Sequence, residues 1–460
     1  MSESARDLAR KLLSSSGSDV TKTRVTHPQA RPPVRPAGAS TRRVRGPGKQ
    51  FTDHPEVAAT VAKQAAIDKL YGDSSMPNPL FLLRSGPNAA TIEADGRELI
   101  NFSAYNYLGL ADHPRVVAGA KAALDRYGAS ASASRILAGE IPLYRELETR
   151  LAEIYGVGDA MITTSGYLTN AGALGFLLRD GDVAVCDALI HGSVVSGTQW
   201  SGCRRITFRH NDPEALRAVL RMSRAGFDRA LVVLEGHYSM DGTVGRIDEL
   251  TAVAREYDCA VMIDEAHSFG VFGDRGHGIR EHYRLPADAI DLWMGTLSKA
   301  LGSCGGFLAG DADLIRAMKA AAPGIAMLTG GPAPAAAGAA LAALDVLEEE
   351  PERLNRLWAN AKQFTALLAE RELDRGLSEG TPICPVIVPG EVRSGFVSSY
   401  LLQRGVYAGN ISAPAVPAGA ERLRFFLTSE HSEEQLIRAA DLLAEAVDHS
   451  RHLPDPTLAT

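Results

Sequence analysis

Five short apolar runs in the middle of the chain each break abruptly into polar residues. They are Ala160-Met-Ile-Thr-Thr164, Val183-Ala-Val-Cys-Asp187, Ala230-Leu-Val-Val-Leu-Glu235, Cys259-Ala-Val-Met-Ile-Asp264 and Asp291-Leu-Trp-Met-Gly-Thr296. Runs that are apolar throughout, without alternation, read as strands buried on both faces, the mark of a parallel sheet in an α/β protein. Open sheets of that kind bind ligands outside the carboxyl ends of their strands. Asp264 falls at the carboxyl end of its run and is therefore the first place where chemistry is expected.

The flanks read differently. His54 to Tyr71 has helical spacing through Val57, Val61, Ala65, Ile67 and Leu70, and Pro77-Asn-Pro79 then punctuates a loop. Ala90 to Phe102 predicts a hairpin turning at Asp95-Gly96, a pair suited to a tight two-residue turn. Ala320 to Leu344 carries no charge, but Pro323, Pro332 and Pro334 interrupt it. It reads as a loop and a buried small-residue helix rather than a membrane span. Leu341 to Leu368 is helical with a break at Pro351. It leads to a smaller C-terminal lobe with strands at Ile383 to Val388 and Arg422 to Thr428. The domain reading is a basic arm over 1–52, an N-terminal segment over 53–115, a large domain over 116–345, a small α+β domain over 346–450 and a tail over 451–460.

Lys299 lies 35 positions after Asp264, in Asp291-Leu-Trp-Met-Gly-Thr-Leu-Ser-Lys299-Ala-Leu-Gly-Ser-Cys-Gly-Gly306. A lysine at the rim of a sheet is partly desolvated, which lowers its pKa and frees its amine for Schiff-base chemistry. A carboxylate that keeps a ring nitrogen protonated and an amine that holds an aldehyde are the two requirements of pyridoxal 5'-phosphate. Either residue alone reads as ordinary sheet architecture. The pair, with His267 after Asp264 and Thr296 before Lys299, points to that cofactor.

The stretch Asp264-Glu-Ala-His267 with Gly270, Gly273 and Gly276, followed by Gly295-Thr-Leu-Ser-Lys-Ala-Leu-Gly, resembles the α-oxoamine synthases. These are fold type I pyridoxal phosphate enzymes that condense an amino acid with an acyl thioester and release CO2. The resemblance runs from about Asn101 to about Leu442. It implies that Lys299, Asp264, His191 and His267 are catalytic, and that Thr296 and Ser298 hold the cofactor beside the lysine. It further implies that Ser165, Gly166 and Tyr167 grip the cofactor phosphate, and that His191 stacks on the ring. His267 and Ser239 would bond the ring oxygen, and Thr329 would reach the partner subunit's phosphate.

Arg424 matches the arginine that takes the substrate carboxylate, a role suited to a bidentate pair. Tyr105 and Asn106 lie in the segment that closes over the substrate. Tyr105 stands where many members have asparagine, and Tyr144 where the family has histidine. The Tyr-Asn-Tyr-Leu-Gly form is closer in style to serine palmitoyltransferases and polyketide-associated synthases. Related chemistries on the same fold are aminotransferases, 2-amino-3-ketobutyrate-ligase-like acyltransferases and non-catalytic partner subunits. The complete Gly295 to Gly306 stretch favours the synthases, and Lys299 argues against a partner subunit.

Composition narrows the partners. The chain has 460 residues, a net charge of −7 and five cysteines without C-x-x-C spacing, which excludes a zinc ribbon or a disulfide framework and points to the cytoplasm. Residues 1–50 hold eleven basic and three acidic residues, a surplus of eight, which leaves −15 on the remainder. Ser2 to Leu13 has the spacing of a short helix, and Ser14 to Gln50 that of a linker too poor in apolar residues to build a core. The expected partners are an amino acid, an acyl-CoA or acyl carrier protein and a second copy of the chain. No nucleic acid, membrane span or metal is expected.

Overall fold

A computed structural model describes residues 51–73, 77–413 and 415–453, so the readings for residues 1–50 and for the tail beyond Leu453 lie outside the described residues. The chain divides into two compact units, Met1–Ala66 and Ile67–Thr460. Of the first, a single turn at Phe51–Asp53 and the start of the helix Pro55–Asp73 are described, the latter where helical spacing predicts it.

The second unit opens with β1 (Arg84–Ser85), β2 (Thr91–Ala94) and β3 (Arg97–Asn101). β2 and β3 pair antiparallel with Ala94 opposite Arg97, leaving Asp95 and Gly96 as the expected two-residue turn. Both have positive φ, 51° and 69°, the conformation that a tight hairpin of matched twist requires.

Seven strands form the central sheet: β4 (Asp159–Thr163), β5 (Val183–Asp187), β6 (Arg204–Phe208), β7 (Ala230–Glu235), β8 (Ala260–Asp264), β9 (Leu292–Thr296) and β10 (Gly306–Gly310). Their order is β4-β10-β9-β8-β7-β5-β6. β9 to β6 are parallel, and β10 runs antiparallel to both its neighbours. β5, β7, β9 and β10 are buried at every position, as strands covered on both faces must be. Each large apolar side chain so buried contributes about 1.5–3 kcal/mol, so a charge at Val232 or Ile263 would break the sheet at its centre.

Helices on the faces start at prolines where the missing N–H costs nothing, as at Pro114, Pro142 and Pro334. The uncharged stretch is a π turn at Pro323–Met327 and then the helix Pro334–Glu349, rich in alanine. Small residues are required there. A Cβ on Gly338 would sit 2.5 Å from the Gly119 carbonyl of the neighbouring helix Pro114–Tyr127. Pro351 separates this helix from Glu352–Glu370, a full break.

The chain then forms β11 (Ile383–Ile387), β12 (Val406–Tyr407), β13 (Asn410–Ile411) and β14 (Arg422–Phe426). β14 lies between β11 and β13, antiparallel to both, whereas β12 joins β3 in parallel. β12 and β13 are too short to leave a periodic signature and were not expected. Among the described residues no helix is long and apolar enough to cross a membrane.

Candidate active site

Five strand ends converge on one cavity of about 230 Å3, and the residues that follow β4, β5, β7, β8 and β9 line it. β4 runs through Ser165 into the helix Gly166–Leu177, whose first-turn N–H groups have no intrahelical acceptor and face the cavity with the positive end of the helix dipole. The turn is held tightly against the sheet. A Cβ on Gly166 would come 3.0 Å from Thr296 Oγ1, and one on Gly306 would come 2.4 Å from Thr169 Oγ1.

Asp264 ends β8 and is only 4% exposed. Its Oδ1 accepts the Ala266 N–H at 2.9 Å, and its Oδ2 accepts from Asn170 Nδ2 at 2.7 Å. The same Asn170 nitrogen donates to Ser193 Oγ at 2.9 Å, and Ser193 Oγ lies 2.7 Å from His191 Nδ1. Asp264, Asn170, Ser193 and His191 thus form one hydrogen-bonded chain across the floor. Asn170 Oδ1 is buried without a partner, a free acceptor beside the carboxylate.

Glu235 closes β7 directly opposite Asp264 in the register. Burial first, and then the Asp264 charge, push its carboxyl well above the usual range, opposed by Lys299 and by the His191 backbone N–H that it accepts. Lys299 follows β9. Desolvation lowers its amine to about 8, against the pull of Asp264 and Glu235 in the other direction. Thr296 and Ser298 shape the turn that presents it. Thr296 Oγ1 donates to the Gly305 carbonyl at 2.9 Å, and Ser298 Oγ accepts the Gly305 N–H at 3.1 Å. The ring of His191 is accessible from the cavity, yet its walls desolvate it and lower its pKa. Asp264 opposes that shift.

His267 lines the opposite wall with Nδ1 2.7 Å from the Tyr107 hydroxyl. Tyr105 stands edge-on to His267 and to Phe426, with Lys299 Nζ 5.7 Å from its ring centre. Arg424, on β14, donates to the Ser239 carbonyl at 2.9 Å and lies 4.6 Å over Phe426. Its Nε is buried without an acceptor, so one edge of the guanidinium has a donor to spare.

The sequence-predicted residues Ser165, Gly166, Tyr167, His191, Asp264, His267, Thr296, Ser298 and Lys299 therefore line one cavity. Tyr105 and Arg424 stand beside it. Ser239 meets Arg424 through its carbonyl rather than lining the cavity. Thr329 lies outside the lining, its hydroxyl 3.4 Å from the Gly330 carbonyl. Both ends of the Asn106 amide are engaged in its own loop, where Oδ1 accepts the Leu110 N–H at 2.8 Å and Nδ2 donates to the Asn88 carbonyl.

Sequence reading did not single out Asn170, Ser193, Glu235 or Tyr107. Asn170 had a usable signal, since it falls four residues after Gly166 on the same helix face. Among the described residues no His, Cys, Asp and Glu cluster could hold a metal.

Three comparisons bear on this geometry. Residues 97–443 match the family described as aminotransferase class I and II. An 8-amino-7-oxononanoate synthase of Treponema denticola is 38% identical over 357 residues, 78% of this chain and 90% of that protein. The structure of Sphingomonas wittichii serine palmitoyltransferase superimposes with a TM-score of 0.82 at 27% identity, covering 88% of this chain and 100% of that one. A serine palmitoyltransferase solved with its PLP internal aldimine gives a TM-score of 0.80 at 28% identity, over 86% of this chain and 100% of that one.

Proposed function

The chain belongs to the aminotransferase class I and II family as an α-oxoamine synthase, and we propose that it condenses an amino acid with an acyl thioester, with loss of CO2, to give an α-aminoketone. Its relatives named 8-amino-7-oxononanoate synthase and serine palmitoyltransferase are enzymes of that reaction type and depend on pyridoxal phosphate. One observation carries the reading to this chain. Asp264 and Lys299, at the ends of neighbouring parallel strands, face one cavity whose far side is the N-terminus of the helix Gly166–Leu177.

These residues fit the cofactor. A helix N-terminus suits a phosphate, a buried carboxylate held by Asn170 suits a protonated ring nitrogen, and a desolvated lysine suits an aldehyde. When bound, pyridoxal phosphate supplies an electron sink for a carbanion. Ser165, Gly166 and Tyr167 would hold its phosphate, with Thr296 and Ser298 shaping the same rim. Asp264 would keep the proton on the ring nitrogen. His191 would cover the ring face and His267 would attend its phenolic oxygen, whereas Ser239 meets Arg424 outside the lining.

Lys299 would hold the aldehyde carbon, and its desolvated amine would be the base for the substrate α-proton. Arg424 uses its spare donor edge for the substrate carboxylate, and Tyr105 closes over Lys299 with the segment that carries Asn106. The new carbon–carbon bond forms as the thiol leaves, and the carboxyl group then departs as CO2.

A homodimer completes the site. Leu137 is 81% and Leu328 75% exposed, beside the loop that carries Thr329, and such apolar tips suit a second copy whose phosphate Thr329 would reach. The acyl donor is an acyl-CoA or an acyl carrier protein, and five free cysteines suit the cytoplasm. The test is product analysis with the purified holoenzyme, a panel of amino acids and an acyl thioester. The expected result is free thiol, CO2 and aminoketone in equal amounts. Formation of a keto acid, or CO2 release without thioester, would contradict the reading.

A further inference from the structure

The two ring nitrogens of His267 have different surroundings. Nδ1 meets the Tyr107 hydroxyl at 2.7 Å in a buried contact, and the ring edge carrying Nε2 is the one left for the cavity. Tyr107 is fully buried, and among the described residues this is the one hydrogen bond its hydroxyl makes. Were Nδ1 to carry the proton, the phenolic proton would be buried without an acceptor, the arrangement that proteins avoid most consistently. Burial also keeps both partners neutral. It pushes the Tyr107 phenol well above its ordinary range and the His267 imidazole well below. Lys299, His237, Arg424 and His191 add to the fall at His267.

We propose that Tyr107 is a positioning residue whose hydroxyl donates to His267 Nδ1, fixes the ring as the Nε2–H tautomer and makes it an obligatory donor toward the cavity. The backbone at this point is pinned as well. The His267 carbonyl accepts from His237 Nδ1 at 3.1 Å, and His237 Nε2 lies 2.8 Å from Thr381 Oγ1. The His237 ring is itself buried, and desolvation lowers it to about 4. A ring fixed in this way offers a directed N–H to an oxygen that bears or develops negative charge, the role of a preorganised donor. It cannot serve there as a base without first losing that proton.

This rests on the proposed reaction for its use, but not for its detection. Ligand-free protein labelled with 15N-histidine gives a two-bond 1H–15N correlation in which the protonated and bare nitrogens differ. The His267 signals are identified by their loss in His267→Gln. The expected wild-type pattern is a protonated Nε2 and a bare Nδ1. In Tyr107→Phe the two shifts should move toward each other as both tautomers become populated. In the holoenzyme, kcat should fall roughly tenfold, less than the 10²–10³ that deletion of a donor costs, while the amino-acid KM stays within about twofold.

A wild-type ring protonated at Nδ1, or an unchanged pattern in Tyr107→Phe, overturns the proposal. So does a loss confined to KM. If Tyr107→Phe does not fold, the wild-type spectrum decides alone. If the chain proves to catalyse another reaction, the ligand-free spectrum still stands or falls by itself.

Discussion

The strand ends at the cavity and the loop rim outside its lining are built in different ways. On the strand side, Asp264 and Glu235 close β8 and β7 opposite each other in the ladder, and Lys299 is presented by the turn after β9 that Thr296 and Ser298 hold to Gly305. Asp264 has both carboxylate oxygens occupied by donors from this chain. The rim at 134–137 and 328–332 is anchored only at its base. Ser134 bridges Gly330, the Tyr144 hydroxyl donates to the Pro332 carbonyl, and Arg135 is held by Glu140 and Glu148. Its tips, Leu137 and Leu328, face outward. One side is finished within a single chain, whereas the other presents an apolar surface that a second copy would cover. Chemistry should therefore fail when the strand side is altered, and assembly when the rim is.

The largest effect is expected from Lys299→Ala, which removes both the proposed anchor and the proposed base. Turnover should fall at least about 10³-fold, toward the upper end of what a general base contributes, with the sedimentation profile unchanged. Residual activity within tenfold of wild type would place the base elsewhere. Asp264→Asn should come next, with a loss of about 10²–10³-fold in exchange of the substrate α-proton, read by deuterium incorporation. Exchange at the wild-type rate would remove Asp264 from the ring nitrogen. Asn170→Ala tests the floor behind it. The loss of one hydrogen bond to a buried carboxylate, about 1–3 kcal/mol, should weaken cofactor binding measurably by fluorescence titration. Unchanged binding would make the Asn170 contact incidental.

The smallest chemical effect belongs to the rim. Leu137→Asp should leave folding and the helical circular dichroism signal unchanged, because the side chain is exposed, while shifting the sedimentation profile toward monomer. An unaltered profile would show that these tips do not meet a partner. Activity should fall only in step with the monomer fraction.

The strand side was also the side legible in the sequence. A run such as Val-Met-Ile-Asp264 reports both burial and the point where burial ends, so the ends of β5, β8 and β9 could be placed from the residues alone. The hairpin at Asp95-Gly96 and the break at Pro351 were legible because a turn pair and a missing N–H act locally. Asn170, Ser193 and Tyr107 were not singled out, because their roles depend on partners 94, 23 and 160 positions away in sequence. Asn106 shows the reverse case. Its motif was conspicuous, but the structure uses its amide to close the loop onto Leu110 and Ala111. Tyr144, a departure from the family pattern, acquires a physical setting: its ring lies under Arg135 and packs where a Cβ on Gly331 would stand 2.8 Å away. Nothing in the residues from 94 to 101 announced that β12, some 300 positions later, would join them.

The central claim is that Lys299 is the amine that holds the cofactor. Borohydride reduction of the holoenzyme, followed by proteolysis and mass spectrometry of the peptides, tests it directly. The account predicts a single modified peptide, the one spanning Asp291 to Gly306, with the cofactor's mass on Lys299. The cofactor's mass on any other lysine, or no reducible link in an active holoenzyme, would contradict it.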